Sequence, residues 1–180
     1  MNLEECIKTR RSVRKYKSIK ISHKDFEEII SLTIFSPSWK NSQIVRFTLI
    51  EDDGTKDKIA QTCMNESKHN QSIISNAPNI IIMSYITGKS GFNSDGSFST
   101  SKGDRWQMFD SGFAASSLCL AAHDKGFGTV IMGLFDDKKV AEIINLPQNQ
   151  QIAALIPIGL PDISPVCPPK NTAESIITYL

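Results

Sequence analysis

Three arginines crowd five residues early in the chain: Arg10, Arg11 and Arg14, with Ser12 among them. A guanidinium group is planar, permanently charged and able to bind phosphate oxygens through paired hydrogen bonds. A serine hydroxyl adds a neutral donor. The segment therefore has the equipment of a phosphate grip. It equally suits a solvated helix end, where cations offset the helix dipole. A second stretch, Ser36-Pro37-Ser38-Trp39-Lys40-Asn41-Ser42-Gln43, puts an aromatic ring and several amides on one loop. Trp39 could cover a flat heterocycle and Asn41 could hydrogen-bond to its edge; read alone, the stretch also fits a capping turn with Trp39 packed on the surface. In Gly126-Phe127-Gly128-Thr129-Val130-Ile131-Met132-Gly133 the glycines permit close backbone approach to a ligand. A backbone N–H near Met132 or Gly133 could then face a ring nitrogen, although a tight helix-to-strand turn wants the same glycines. Lys170, on the stiff segment Cys167-Pro168-Pro169-Lys170, could complete a phosphate site.

Other chemistries find no support. His23, His69 and His123 are widely spaced and form no metal-ligand pattern. Cys6, Cys63, Cys119 and Cys167 are isolated, so neither a zinc site nor a disulfide framework is expected. Each is expected to behave as a small apolar residue in a reducing cytoplasm. There is no GxSxG elbow, no Cys–His signature and no GxGxxG dinucleotide fingerprint. Twenty Lys and Arg against nineteen Asp and Glu leave a net charge of +1, which argues against a nucleic-acid partner. Met1 to Arg11 is polar and lacks the apolar region of a signal peptide. The longest apolar run, near Ile80 to Ile86, is too short to span a bilayer, so no membrane partner is expected. An enzyme of this composition would leave the hard chemistry to a cofactor.

The elements that must position these residues follow from periodicity. A short helix is predicted over residues 2–9, from Leu3, Cys6 and Ile7. A second is predicted from Ser22 as N-cap, with Phe26, Ile29, Ile30, Thr33 and Ile34 as its buried face and Pro37 as its stop. Val45–Ile50 reads as a strand, and a helix follows Gly54 and Thr55 to near Met64. The continuous apolar run Ile80-Ile81-Ile82-Met83 predicts a central strand buried on both faces. Residues 87–103, rich in Gly and Ser, read as a long functional or mobile loop. Asp104–Lys125 is the longest helix, lined by Phe113, Ala114, Leu118, Ala121 and Ala122; its many small residues invite another helix to approach. A strand at Thr129–Met132, a helix over Asp137–Leu146, a strand at Ile152–Ile158 and an extended Pro-rich tail complete the chain. This mixture is a three-layer α+β arrangement in a single domain spanning residues 1–180.

Taken in order, Arg10-Arg11-Ser12-Val13-Arg14-Lys15-Tyr16, the Ser36–Gln43 stretch, the long helix through Asp110, Gly112 and Ala114 to Gly126-Phe127-Gly128-Thr129, then Ile156-Pro157-Ile158-Gly159-Leu160-Pro161 and Lys170, resemble the nitroreductase family of FMN enzymes. The resemblance covers nearly the whole chain. It implies a central, mostly antiparallel sheet wrapped by helices, in an intertwined homodimer with FMN at the interface. By the same resemblance Arg10, Ser12 and Lys170 would grip the FMN phosphate with help from Arg11, and Arg14 would lie near the ribityl chain and pyrimidine edge. Pro37, Ser38, Trp39 and Asn41 would reach the flavin from the other subunit, Asn70 would contact its pyrimidine side, and the backbone at Met132 and Gly133 would face N5. The small-residue helix would form the dimer interface. Phe92, Phe98 and Trp106, in or beside the 87–103 loop, would shape the substrate pocket.

The implied activity takes hydride from NAD(P)H and reduces nitroaromatics, quinones or similar electron-poor acceptors in ping-pong order. Arg14 would steady negative charge on the reduced ring. Two departures stand out. Ile44 and Val45 follow Gln43 where many members have Pro-Trp, and Met132 stands where some have Glu. Relatives of the fold with flavin, enone or halogenated acceptors, or a flavin-binding sensor without turnover, are the alternatives.

Overall fold

The computed structural model describes residues 1–64 and 67–180. Its organising element is β2 (Asn79–Ile86), whose residues are buried from Asn79 to Tyr85. Side chains alternate across a strand, so Ile80 and Ile82 enter one core while Ile81 and Met83 enter another. Burial of each isoleucine is worth roughly 1.5–3 kcal/mol. β1 (Val45–Ile50) pairs with one side of β2, and β4 (Gln150–Gly159) with the other. The two-residue β3 (Gly128–Thr129) adds to β4. The order is β1-β2-β4-β3 and every pairing is antiparallel.

Helices cover both faces. On one side α3 (Asp53–Cys63), α4 (Lys68–Asn76) and α6 (Asp137–Ile143) bury Ile59, Cys63, Ile73, Ile74 and Val140 against Ile80, Ile82 and Leu155. On the other, α2 (His23–Thr33) and α5 (Arg105–Asp124) bury Ile29, Leu118 and Ala122 against Ile81, Met83 and Ile156. Helix α1 (Leu3–Thr9) joins α5 through Cys6 Sγ, which donates to Leu120 O, and through a Thr9 Oγ1–His123 Nε2 hydrogen bond of 2.8 Å. The layers are helix, antiparallel sheet, helix, as the sequence predicts. Among the described residues no helix is long and apolar enough to cross a membrane.

Several details differ from expectation. Helix α2 ends at Thr33, well before Pro37: Phe35 N–H bonds Leu32 O and Ser36 N–H bonds Thr33 O in closing turns. Ile34 lies beyond that end and is exposed, not buried. Helix α4 has no counterpart in the periodicity reading. The predicted strand at Thr129–Met132 reduces to β3 plus an isolated bridge from Met132 to Leu155. Phe113 is partly exposed, and Cys167 is exposed where a small apolar role was expected. The tail is extended, with one turn at Ala173–Ser175.

Candidate functional site

The arginine segment begins at a helix end, with Arg10 as the C-cap of α1, and continues beyond it. Helix α1 stops at Thr9, and Arg10 to Tyr16 runs as an extra edge beside β3. Ser12 bridges Thr129 in parallel, and Val13 N–H donates to Thr129 O at 2.9 Å. The Tyr16 hydroxyl donates to Val13 O at 2.5 Å and to Pro157 O at 3.3 Å. Burial pushes its phenol pKa far up, so the hydroxyl keeps its proton and remains a donor. Val13 is buried and packs on Gly128, where a Cβ would come within 2.5 Å of Val13 Cγ2. Glycine at position 128 is therefore what lets the segment lie so close.

This anchoring turns the cations outward onto two adjoining cavities. One, of about 750 Å³, gathers Arg10, Arg11, Ser12 and Arg14 with Cys167 and Lys170 from the tail. The other, of about 660 Å³, shares Arg10, Ser12 and Arg14 and continues over an apolar floor of Met83, Ala153 and Ala154. One wall is the α5 stripe Gly112, Ala115, Ser116 and Cys119; Ile131 stands opposite. Among the described residues no carboxylate pairs with Arg10, Arg11, Arg14 or Lys170. Arg11 Nη1 donates to the carbonyls of Lys8 and Arg10, which fixes its fork. The pKa of His123, behind this cluster, is pushed down by burial and then by the charges of Arg10 and Arg11. The Cys119 thiol is pushed up by burial and presents a neutral wall.

The Ser36–Gln43 loop lies apart from these cavities. The Trp39 N–H donates to both oxygens of the buried Asp110 carboxylate, at 3.0 and 3.1 Å, and Ser42 Oγ donates to it at 3.2 Å. The clamp holds a strained backbone: Lys40, Asn41 and Gln43 have φ of 46°, 56° and 46°. Left-handed conformations in non-glycine residues are costly and concentrate in functional loops. Trp39 packs on Trp106, with ring centroids 4.6 Å apart. The 87–103 loop is compact. Gly91 approaches Gly103 so closely that a Cβ would sit 2.3 Å from its carbonyl, and Phe92 and Phe98 face each other at 5.0 Å.

The sequence model of the nitroreductase family matches residues 7–160, most of the chain. The chain belongs to the nitroreductase family. A candidate NADH dehydrogenase/NAD(P)H nitroreductase of Archaeoglobus fulgidus is 28% identical over 166 residues, 88% of this chain and 87% of that protein. Iodotyrosine deiodinase of Thermotoga neapolitana is 24% identical over 182 residues, 98% of this chain and 97% of the other. Among solved structures, a nitroreductase family protein of Clostridium novyi superposes with a TM-score of 0.77 at 28% identity, covering 90% of this chain and 86% of that one. A nitroreductase-like protein of Exiguobacterium sibiricum, crystallised in complex with FMN, superposes with a TM-score of 0.84 at 19% identity, covering 100% and 98%.

Within this nitroreductase-family chain the fold brings together Arg10, Arg11, Ser12, Arg14 and Lys170. Pro37 and Ser38 line a small separate cavity of about 110 Å³, and Trp39 and Asn41 lie beside it on the same loop. Phe92, Phe98 and Trp106 belong to the Trp39 side of the molecule. Asn70 is half-buried in the first turn of α4, where its N–H meets Ser67 Oγ, and it lines neither large cavity. Met132 requires a correction. Its N–H donates to Leu155 O at 2.8 Å and its side chain is buried in the core, so its amide is not available to a ring nitrogen. The strand's alternation instead leaves the amides of Ile131 and Gly133 without a backbone partner among the described residues. The cavity residues Met83, Met108, Ile131 and Cys119 were missed by sequence reasoning. The small residues of α5, which in the sequence suggest only the close approach of another helix, are the available signal.

Proposed function

We propose that this protein binds FMN across the two large cavities and works as an NAD(P)H-dependent oxidoreductase. One observation carries the reading: four cations and Ser12, unpaired by carboxylates among the described residues, converge beside a cavity with an apolar floor. Their volumes fall within the ~300–1,000 Å³ usual for cofactor sites. A phosphate needs the first environment and a flat heterocycle the second. FMN, when bound, supplies the hydride and electron chemistry that no side chain here offers.

The chain's own residues divide the remaining work. Arg10, Ser12 and Lys170 hold the phosphate through charge-assisted hydrogen bonds, and Arg11 adds charge from its fixed fork. Arg14 holds the pyrimidine edge and steadies negative charge there. The amides of Ile131 and Gly133 are the donors open to the ring's edge. Pro37, Ser38, Trp39 and Asn41 act in trans, from a second copy. Their separation from the cationic cavity within one protomer supports this. Asn70 is the remaining polar contact of the ring. Phe92, Phe98 and Trp106 shape the opening. Reductant and acceptor share one slot, which makes the kinetics ping-pong. Buried Cys6, Cys63 and Cys119, none in a disulfide among the described residues, suit the cytoplasm.

Nitroaromatics and quinones are the first acceptors to test. The nearly end-to-end match to the Thermotoga iodotyrosine deiodinase supports reductive dehalogenation as the second reading. The protein reduced anaerobically with NADPH should be reoxidised by a nitroaromatic or a quinone within seconds. Reoxidation by iodotyrosine alone would replace the nitroreductase assignment with the dehalogenase one.

A further inference from the structure

The chain has two tryptophans, and the fold puts them in contact. The row continues along α5 through Phe109, 5.2 Å from Trp106, and Phe113, 4.7 Å from Phe109. Phe109 and Phe113 are exposed, and Met108 and Gly112, one helical step away, line the apolar cavity. Two half-buried tryptophans continued by two exposed phenylalanines beside a cavity make a surface for a planar molecule.

Lys40 Nζ stands 5.6 Å from the Trp39 ring centroid and Lys102 Nζ 5.4 Å from that of Trp106. Both distances lie within cation–π range. Among the described residues neither ammonium has a carboxylate partner. Asp110, beneath the loop, is already taken by the Trp39 amide and Ser42. Asp104 lies two residues from Lys102, and its charge acts on Tyr85, whose phenol is pushed up mainly by burial and then by Asp104. Lys40 also occupies a left-handed backbone position at φ 46°, where Asn or Gly would be relaxed. The Asp110 clamp holds this strained backbone in place.

We propose that this aromatic row is the acceptor platform and that Lys40 and Lys102 select planar acceptors bearing a negative group, an aromatic carboxylate being the simplest, over neutral isosteres. The inference rests on the flavin oxidoreductase reading, in which the Trp39 loop of one copy faces the cofactor of the other. Stacking on the rings supplies the affinity, and the two ammonium groups supply the discrimination.

The test titrates the flavin-loaded protein with 2-naphthoate and with 2-naphthamide, reading perturbation of the visible flavin spectrum. The carboxylate should bind ~3–10-fold tighter at low salt, with the advantage shrinking as salt is raised. In the double variant K40N/K102Q the advantage should fall to about twofold or less. Asn is chosen because it accepts the left-handed backbone. Flavin content, read from the same spectrum, verifies folding, and K102Q alone serves if the double variant loses flavin. Equal affinities in the parent protein, no binding of either compound, or an undiminished carboxylate advantage in the variants would each overturn the inference. These results are distinct from failure of the oxidoreductase reading, which would show as protein without flavin or flavin untouched by NAD(P)H.

Discussion

Asp110→Ala tests the clamp that shapes the Trp39 loop. The substitution removes the acceptor of two donors, the Trp39 N–H at 3.0 Å and the Ser42 hydroxyl at 3.2 Å. Asp110 is 2% exposed, so water does not readily replace it. A hydrogen bond to a charged group is worth about 1.5–3 kcal/mol. Ser42 can turn toward solvent, and removing a buried carboxylate returns part of its desolvation cost. The expected net loss is therefore about 2–3 kcal/mol, set mainly by the stranded Trp39 amide. Asp110→Asn keeps one acceptor and should lose about 1 kcal/mol. Urea denaturation followed by tryptophan emission suits the measurement, because Trp39 and Trp106 both report from this spot. Relaxation of the strained Lys40–Gln43 backbone should also shift the native emission. A D110A protein within about 0.5 kcal/mol of the parent, with unchanged emission, would refute the clamp.

Further expectations concern the cationic segment and the periphery. Gly128→Ala drives a methyl group into Val13, with contacts of 2.5 and 2.6 Å. Overpacking of this kind should cost about 1–3 kcal/mol in thermal unfolding, with weakened FMN binding as the arginine segment is displaced. Arg10→Ala should raise the Kd for FMN roughly 10–100-fold, measured by quenching of FMN fluorescence at fixed salt; an unchanged Kd would remove Arg10 from the phosphate site. His23 lies 2.9 Å from Glu51, and that hydrogen bond and charge raise its pKa above the ordinary 6.5. The pair's contribution is complete below pH 6.5 and disappears as pH rises through the raised folded value. A proton-NMR titration placing His23 at or below 6.5 would contradict the pair; because it is fully exposed, salt should weaken the effect.

Much of the fold is legible in the residues because burial left strong patterns. Ile80 to Met83 reads as a strand buried on both faces, and Ser22 with Asp25 marks the start of α2 through the side-chain cap that the structure contains. Helix α4 escaped notice because its buried residues, Ile73 and Ile74, are adjacent and set no helical period; Ser67 as N-cap was its only local sign. Ile34 fits the α2 period by spacing, but turns at Thr33 release it to the surface. The arginine cluster is visible in the sequence as a group of cations, yet its support is not. Val13, Tyr16, Gly128 and Thr129 act through contacts that only the folded chain creates. The same holds for Asp110, whose partner Trp39 lies 71 residues away. For Met132, a one-residue shift in a strand exchanges an inward amide for an outward one, and the sequence does not carry that register.

The most direct test of the central claim is the visible absorbance spectrum of the purified protein, recorded before and after anaerobic addition of NADH or NADPH. Flavin bands that bleach with either reductant are the expected result. Bands that persist would leave a flavin-binding protein without this activity. A protein that carries no flavin and does not bind added FMN would contradict the account at its foundation.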